Sequence, residues 1–207
     1  MRRQKIFLTC LFLLIVGCIL LRFSKFSGRQ EEAHQINAAC EAYRDEVSSE
    51  AAQYDMSDYV DLILAVMMQE SSGQGTDPMQ SSEGAYNTRY PQQPNGITDP
   101  SYSISCGIQE LKYALDKAGC TGPTDLSKIR LALQAYNFGA DSYFAYLEEN
   151  GQTVWTAQSA QAFAQMASGG TQRDEDDPLH DPAGPWDYGD QYYPDHVLRY
   201  YHLDNNS

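Results

Sequence analysis

Residues 59–73, YVDLILAVMMQESSG, constrain the fold more than any other stretch of the sequence. Apolar residues recur there at helical spacing and cover nearly every side of the predicted helix, which is typical of a helix buried in a larger core. Ser57 or Asp58 is the expected N-terminal cap. The helix ends at Glu70, so this carboxylate is expected where buried packing gives way to a cleft.

Glu70 has two interpretations from its position alone. Burial disfavours the charged form of a carboxyl group and raises its pKa, and a general acid works best when its pKa lies near the working pH. The alternative is an ordinary solvated residue in the last turn of a helix, which is the commoner outcome for a single carboxylate. The rest of the sequence has to decide between them.

An apolar run of 16 residues, positions 6–21, lies near the N-terminus between clusters of basic residues. A spanning helix needs about 20 residues, but flanking Lys and Arg side chains can reach the interface from a shorter one. No small-x-small cleavage site follows, so we expect an uncleaved membrane anchor rather than a removed signal peptide. Residues 15–18, IVGC, resemble a lipobox, and lipid attachment at Cys18 is the alternative.

Charge is distributed unevenly along the chain. Six of the 14 basic residues and none of the 28 acidic residues lie in the first 29 positions, so the remainder carries a net charge of −20. Such a body is not expected to bind nucleic acid through phosphate contacts. A carbohydrate ligand would have to be bound through hydrogen bonds and aromatic stacking, for which 15 tyrosines and two tryptophans are available.

The five cysteines do not predict a metal site. Cys10 and Cys18 lie in the apolar run, and Cys40, Cys106 and Cys120 lie in the body with no CxxC spacing. A disulfide between Cys106 and Cys120 and three free thiols are about equally expected.

The body is predicted to be all-α, or α with minimal β, because no segment shows strand-like alternation. A long polar loop, residues 71–104, interrupts the helices, and Met79, Tyr86, Tyr90 and Ile97 are expected to anchor it. Asp125 or Ser127 is the expected cap of one helix. The predicted helices cover residues 36–47, 59–70, 104–118, 125–138, 142–149, 157–167 and 194–201.

Several standard sites are absent from the sequence. It contains no GxSxG, HExxH, P-loop or GxGxxG motif. The four histidines show no ligand spacing, and the acidic run at residues 174–177 lacks the pattern of a calcium-binding loop. We therefore expect neither a metal nor a cofactor.

Four short motifs occur in a definite order along the body. Glu70-Ser71 ends the apolar helix, and Tyr193 precedes Val197 in the last predicted helix. Between them stand GIQ at residues 107–109 and AYNFG at residues 135–139. Together these motifs resemble the lysozyme-like superfamily of goose-type lysozymes and soluble lytic transglycosylases, where the corresponding motifs are ES, GLMQ, AYNxG and a late tyrosine before a valine.

A closer resemblance is to the lysozyme domain of membrane-anchored Gram-positive cell-wall hydrolases, found on conjugative elements and in streptococcal surface proteins. It covers residues 43–201 and includes the blocks LILAVMMQESSG, DPMQSSE, ITDPSYSI and AYNFG. The GLMQ motif is shortened here to GIQ. The resemblance implies a helical lysozyme-like domain with a substrate cleft at residues 43–207, behind an anchor or signal segment at 1–29 and a linker or stalk at 30–42.

The resemblance also implies a mechanism. Glu70 would be the general acid that protonates the glycosidic oxygen between N-acetylmuramic acid and N-acetylglucosamine, in a transition state with oxocarbenium character. The implied substrate-binding residues, drawn from the matching motifs, are Ser71, Gln80, Gln109, Tyr136, Asn137 and Tyr193.

The second carboxylate stays open at this point. Asp77 is the first candidate and Glu83 the next, which would otherwise be a substrate-binding residue, whereas Asp99 before Pro100 is more typical of a turn or a helix cap. Transglycosylases of the superfamily need only one glutamate, because the 6-hydroxyl of the muramic acid attacks in place of water. The sequence thus predicts a muramidase, with a lytic transglycosylase as the alternative.

The expected location is the outer face of the cell membrane, with one N-terminal anchor and peptidoglycan as the partner. A different class of protein is the second hypothesis: a non-catalytic wall-binding or assembly protein, with cell-wall or conjugation machinery as its partner, because one fold can host unrelated functions.

Overall fold

The computed structural model describes residues 34–177 and 180–202. Every helix that the structure describes lies in the unit Gln35–Ser207. The predicted anchor at residues 6–21, including Cys18, lies outside the described residues. Within those residues, no helix combines the length and the apolar character that crossing a membrane requires.

The described part of the chain is helical. Its helices are α1 (Ala38–Glu41), α2 (Arg44–Gln53), α3 (Val60–Glu70), α4 (Pro100–Ala118), α5 (Leu126–Phe138), α6 (Ala140–Glu149), α7 (Ala157–Ala167) and α8 (Tyr193–Leu198). Across residues 34–177 and 180–202 there is no β-strand, although an isolated antiparallel bridge joins Gln172 to Trp186. The all-α prediction is confirmed for these residues.

Helix α3 occupies the centre of the core. It packs against α1, α2 and α8, and six consecutive residues, Leu62 to Met67, are fully buried. Complete burial of a large aliphatic side chain contributes about 1.5–3 kcal/mol. This burial fixes where α3 ends and therefore where Glu70 lies.

The predicted cap of α3 is wrong. Ser57–Tyr59 forms a 3-10 turn, Tyr59 takes the N-cap position, and no side chain caps the helix. The amide of Tyr59 donates instead to the carbonyl of Met56 (2.9 Å). The tight turn thus places Ser57 and Asp58 before the cap position.

Helix α4 begins four residues earlier than predicted. Asp99 caps it by accepting a hydrogen bond from the Tyr102 amide (3.4 Å), and Pro100 occupies the first turn, where its missing N–H costs nothing. Asp125, one of the two predicted caps, accepts from the Lys128 amide at the start of α5. Helix α4 packs along α5 and also contacts α2 and α6.

Residues 71–99 connect α3 to α4 without a helix or strand and are held in place by buried groups. Met79 and Ile97 are fully buried, and Tyr86 and Tyr90 are partly buried. Asn87 is also buried and bonds to the backbone of Ser82 and Tyr90. The loop is therefore an ordered part of the domain.

The cysteines of the body are free thiols. Cys106 is buried in α4, Cys120 is partly buried, and no disulfide joins them. Cys40 is buried in α1, within the segment that the sequence assigns to a linker or stalk. This end of the predicted linker therefore contributes to the core.

Gly107 allows α4 to lie against the loop. A Cβ atom at this position would come within 2.6 Å of the Cβ of Met79, closer than side-chain atoms normally approach. The absence of a side chain thus sets the spacing between α4 and the buried part of the loop.

Overpacking a core costs about 1–3 kcal/mol, and the better helix propensity of Ala returns about 1 kcal/mol. We therefore expect Gly107→Ala to lower the free energy of unfolding by up to about 2 kcal/mol. Gly122→Ala is the matched control, since nothing lies within 4 Å of a Cβ there. Urea denaturation of both variants measures the difference. Equal stabilities would contradict this account of the contact.

Candidate active site

Glu70 is the last residue of α3 and is only partly exposed. The pKa of its carboxyl group is raised to about 7, mainly by burial and also by the negative charges of Asp190 and Asp77, against the lowering effect of a hydrogen bond from Tyr193. The Tyr193 hydroxyl donates that bond to Oε1 of Glu70. A carboxyl group with this pKa is substantially protonated at neutral pH and can donate a proton.

Two tyrosines form a wall beside Glu70. Tyr193, at the start of α8, stacks on Tyr136 of α5 with ring centroids 6.3 Å apart and an angle of 22° between the planes. The hydroxyl of Tyr136 donates to the carbonyl of Met79 (2.9 Å). Burial raises the pKa of both tyrosines well above the usual value, so both hydroxyls remain protonated.

Glu70 borders a cavity of about 710 Å³, which we call the main cavity. Gln80, Asn137 and Tyr193, three of the substrate-binding residues predicted from the sequence, border it as well. The Gln80 amide group donates to the carbonyl of Asp77 (2.9 Å) and to Oδ1 of Asn95 (3.0 Å). The main cavity thus places the Glu70 carboxyl group among neutral amides, aromatic rings and further charged side chains.

Asn137 connects α5 to the segment before α8. Its Oδ1 accepts a hydrogen bond from the amide of Asp190 (2.7 Å). Asp190 in turn pairs with Nδ1 of His196 (2.5 Å), and this hydrogen bond raises the pKa of His196. Asp190 and His196 both border the main cavity. The wall of this cavity therefore contains an ionisable pair, and Asn137 bonds to the backbone of one of its members.

Asp77 belongs to the loop between α3 and α4, where it is buried, and it does not line the main cavity. Its carboxylate accepts four hydrogen bonds, from the amides of Ser81 and Ser82 and from the hydroxyls of Ser82 (2.5 Å) and Ser103 (2.6 Å). These bonds tie the loop to α4. They also occupy the lone pairs that a water-activating base would need.

Ser71 and Gln109 also bond to protein groups. The hydroxyl of Ser71 donates to the carbonyl of Pro78 (2.8 Å) and accepts from the amide of Gly73 (3.0 Å). The amide group of Gln109 donates to the carbonyl of Ser105 within α4 (3.1 Å). Neither residue lines the main cavity.

Another cavity, of about 250 Å³, which we call the side cavity, is bordered by Tyr136. Tyr136 and Glu83 both border it, with Glu83 exposed. The structure therefore distributes the predicted substrate-binding residues over two cavities and the base of the loop.

The sequence analysis did not predict several residues that border these cavities, among them Asp190, His196 and Glu110. Asp190 lies in a segment with no regular spacing, and His196 lies in the predicted last helix, but nothing in the sequence indicated that either would border the same cavity as Glu70. Glu110 borders the side cavity, and its signal was present: it follows Gly107 by three residues, which places both on one face of α4.

The chain is similar in sequence and in fold to known proteins. A family model described as lysozyme-like matches residues 38–201. The bifunctional muramidase/DL-endopeptidase CwlT of Bacillus subtilis (strain 168) is 36% identical over 173 residues, which are 84% of this chain and 43% of CwlT. The uncharacterized membrane protein YocA of the same strain is 40% identical over 111 residues, 54% of this chain and 45% of YocA. The chain thus spans less than half the length of either relative.

A solved structure shares the fold. A crystal structure of a protein described as similar to a lipoprotein of the NLP/P60 family, from Staphylococcus aureus subsp. aureus Mu50, superimposes with a TM-score of 0.68 at 28% identity, covering 84% of this chain and 56% of that one. The helices around Glu70 and the family match across residues 38–201 lead to one conclusion: the chain belongs to the lysozyme-like family.

Proposed function

We propose that this protein is a muramidase that cleaves peptidoglycan glycan strands at the cell surface. It hydrolyses the β-1,4 bond between N-acetylmuramic acid and N-acetylglucosamine, with Glu70 as the general acid. The observation that carries this proposal is the Glu70 carboxyl group, which lies in a cavity with a pKa of about 7 and a hydrogen bond from Tyr193.

In the proposed reaction, protonated Glu70 gives its proton to the glycosidic oxygen as the bond to the anomeric carbon breaks. The positive charge that develops on the sugar is of the oxocarbenium type. Water then adds to the anomeric carbon and regenerates a reducing end. Gln80 and Asn137 border the same cavity, and their neutral amides can hydrogen-bond acetamido sugars without adding charge to an acidic body.

The comparisons support the glycan-cleaving activity in particular. The name of CwlT gives two activities, a muramidase and an endopeptidase. The lysozyme-like family match covers most of this chain, which favours the first of these. Anchoring at the membrane by residues 6–21 is part of the proposal, and a relative described as a membrane protein supports it. Lipid attachment at Cys18 is the alternative anchor.

A lytic transglycosylase is the second candidate, and the surroundings of Asp77 favour it. Four hydrogen bonds already engage the Asp77 carboxylate, so we assign it the role of holding the loop. In this candidate Glu70 acts alone, and the 6-hydroxyl of the muramic acid attacks in place of water. The two candidates differ in their products.

We expect Glu70→Gln to reduce wall-cleaving activity by about 10²–10⁴-fold, because general acid catalysis contributes roughly that factor. Release of soluble muropeptides from purified peptidoglycan measures it. Glu149→Gln, which removes one exposed charge at the end of α6, should keep full activity. If the Glu70 variant cleaved like the wild type, or if the wild type bound peptidoglycan without cleaving it, the assignment would fail, and the second result would favour a wall-binding protein.

The pH profile should show an alkaline limb near pH 7, because only protonated Glu70 can donate. Above that pH, kcat/KM should fall about tenfold per pH unit. Tyr193→Phe removes a hydrogen bond that lowers the pKa of Glu70, so the pKa rises and the limb moves to higher pH. Tyr143→Phe, a similarly buried hydroxyl bonded to Ser159, should leave the limb unchanged. A Tyr193→Phe limb at lower pH would contradict the geometry.

Mass spectrometry of the products, combined with Asp77→Asn, separates the two candidates. Reducing ends indicate hydrolysis, and anhydro ends indicate transglycosylation. If Asp77 holds the loop, Asp77→Asn should lower the free energy of unfolding by about 1–3 kcal/mol while the folded fraction makes the same product. A stable variant that had lost hydrolysis would instead make Asp77 the water-activating group.

A further inference from the structure

The side cavity has a lining suited to a sugar ring. Three tyrosines, Tyr86, Tyr113 and Tyr136, border it together with Glu110. Among the described residues that line it, none is basic. Aromatic faces with a few convergent polar groups are typical of small-ligand sites.

Glu110 is the unusual member of this lining. It is partly buried, and within the described part of the chain its Oε1 atom is buried without any hydrogen-bond partner. The backbone amide of Tyr86 donates to the carboxyl group, and burial raises its pKa to about 7. A buried carboxyl oxygen without a partner destabilises a protein, so packing alone does not explain why an acid stands here.

The loop is shaped around this carboxyl group. A Cβ atom at Gly84 would come within 1.5 Å of Oε1 of Glu110. A side chain at this position would therefore displace the Glu110 carboxyl group from where it lies. Gly84 and Tyr86 together hold Glu110 at the wall of the side cavity.

The side cavity is linked to the candidate active site through Tyr136. This residue borders the side cavity and stacks on Tyr193, which borders the main cavity and bonds to Glu70. A strand of linked sugars that places one bond at Glu70 would have to meet further walls of the domain at neighbouring rings. The side cavity provides such a wall.

We propose that the side cavity binds one amino sugar of the glycan strand, and that Glu110 determines its specificity by accepting a hydrogen bond from the N–H of the substituent on C2. The proposal rests on the proposed function, because it assumes a glycan strand at Glu70. Two sources of this N–H exist: the acetamido group of an N-acetylated sugar and the ammonium group of a deacetylated one.

The test uses calorimetry to measure the binding of three β-1,4-linked oligomers. One is built from N-acetylglucosamine, one from glucosamine and one from glucose. The full chain carrying Glu70→Gln is used so that the oligomers are not cleaved. We expect Glu110→Leu to weaken binding of at least one of the two amino-sugar oligomers about five- to tenfold, and to leave binding of the glucose oligomer unchanged. Glu149→Gln serves as the matched charge control and should change nothing.

Glu110→Gln distinguishes the two sources. The glutamine keeps a carbonyl acceptor, so an acetamido ligand should bind to it nearly as well as to the glutamate. It lacks the negative charge, so an ammonium ligand should lose at least fivefold. Either result supports the subsite and identifies its ligand.

Two results would overturn the proposal. In the first, Glu110→Leu binds all three oligomers as tightly as its parent does; in the second, its affinity for all three falls by the same factor. Thermal unfolding of Glu110→Leu shows that the domain stays folded, and Glu110→Gln provides a second variant of the same shape if it does not. Cleavage of peptidoglycan by the protein with Glu70 intact is measured in parallel. Cleavage without Glu110-dependent binding rejects the subsite alone, whereas Glu110-dependent binding without cleavage rejects the catalytic proposal alone.

Discussion

The burial of the Glu70 carboxyl group at the end of an apolar helix is the constraint on which the site depends. Residues 62–67 are fully buried, and their packing holds Glu70 at the edge of the core, where it is only partly exposed. A rise in pKa from 4.5 to about 7 destabilises the folded state by roughly 3 kcal/mol once the group is ionised. This cost begins as the pH rises above 4.5 and is complete above pH 7. The packing of α3 against α1, α2 and α8 has to offset it.

The site brings together residues that are far apart in the sequence. Tyr193 follows Glu70 by 123 positions, yet their side chains share a hydrogen bond. Asn137 bonds to the backbone of Asp190, 53 positions later. Each of these contacts joins the segment around α8 to the core formed by α3 and α5. The end of the chain that the structure describes is therefore required to complete the wall of the main cavity.

The sequence predicts the helices and the position of Glu70 at the end of α3 well, because both depend on local pattern. The period of apolar residues identified α3, and the cap at Asp125 and the glycine at 119 marked helix ends correctly. It predicted the roles of Asp77 and Gln109 less clearly, because residue type does not show whether a carboxylate or an amide is already bonded inside the protein. Glu110 was not predicted because it lies one residue beyond the motif GIQ at residues 107–109. Its helical spacing from Gly107 nevertheless places the two residues on one face of α4.

The buried part of the loop between α3 and α4 has a consequence for resistance to proteolysis. Long connections without secondary structure are the usual places where proteases cut, since a protease must pull an extended segment into its own groove. Here the Asp77 carboxylate gathers donors from Ser81, Ser82 and Ser103, and Met79 and Ile97 are sealed in the core. Pulling out this segment would expose a buried charge and two apolar side chains together, and this cost protects the buried part of the loop against proteolysis.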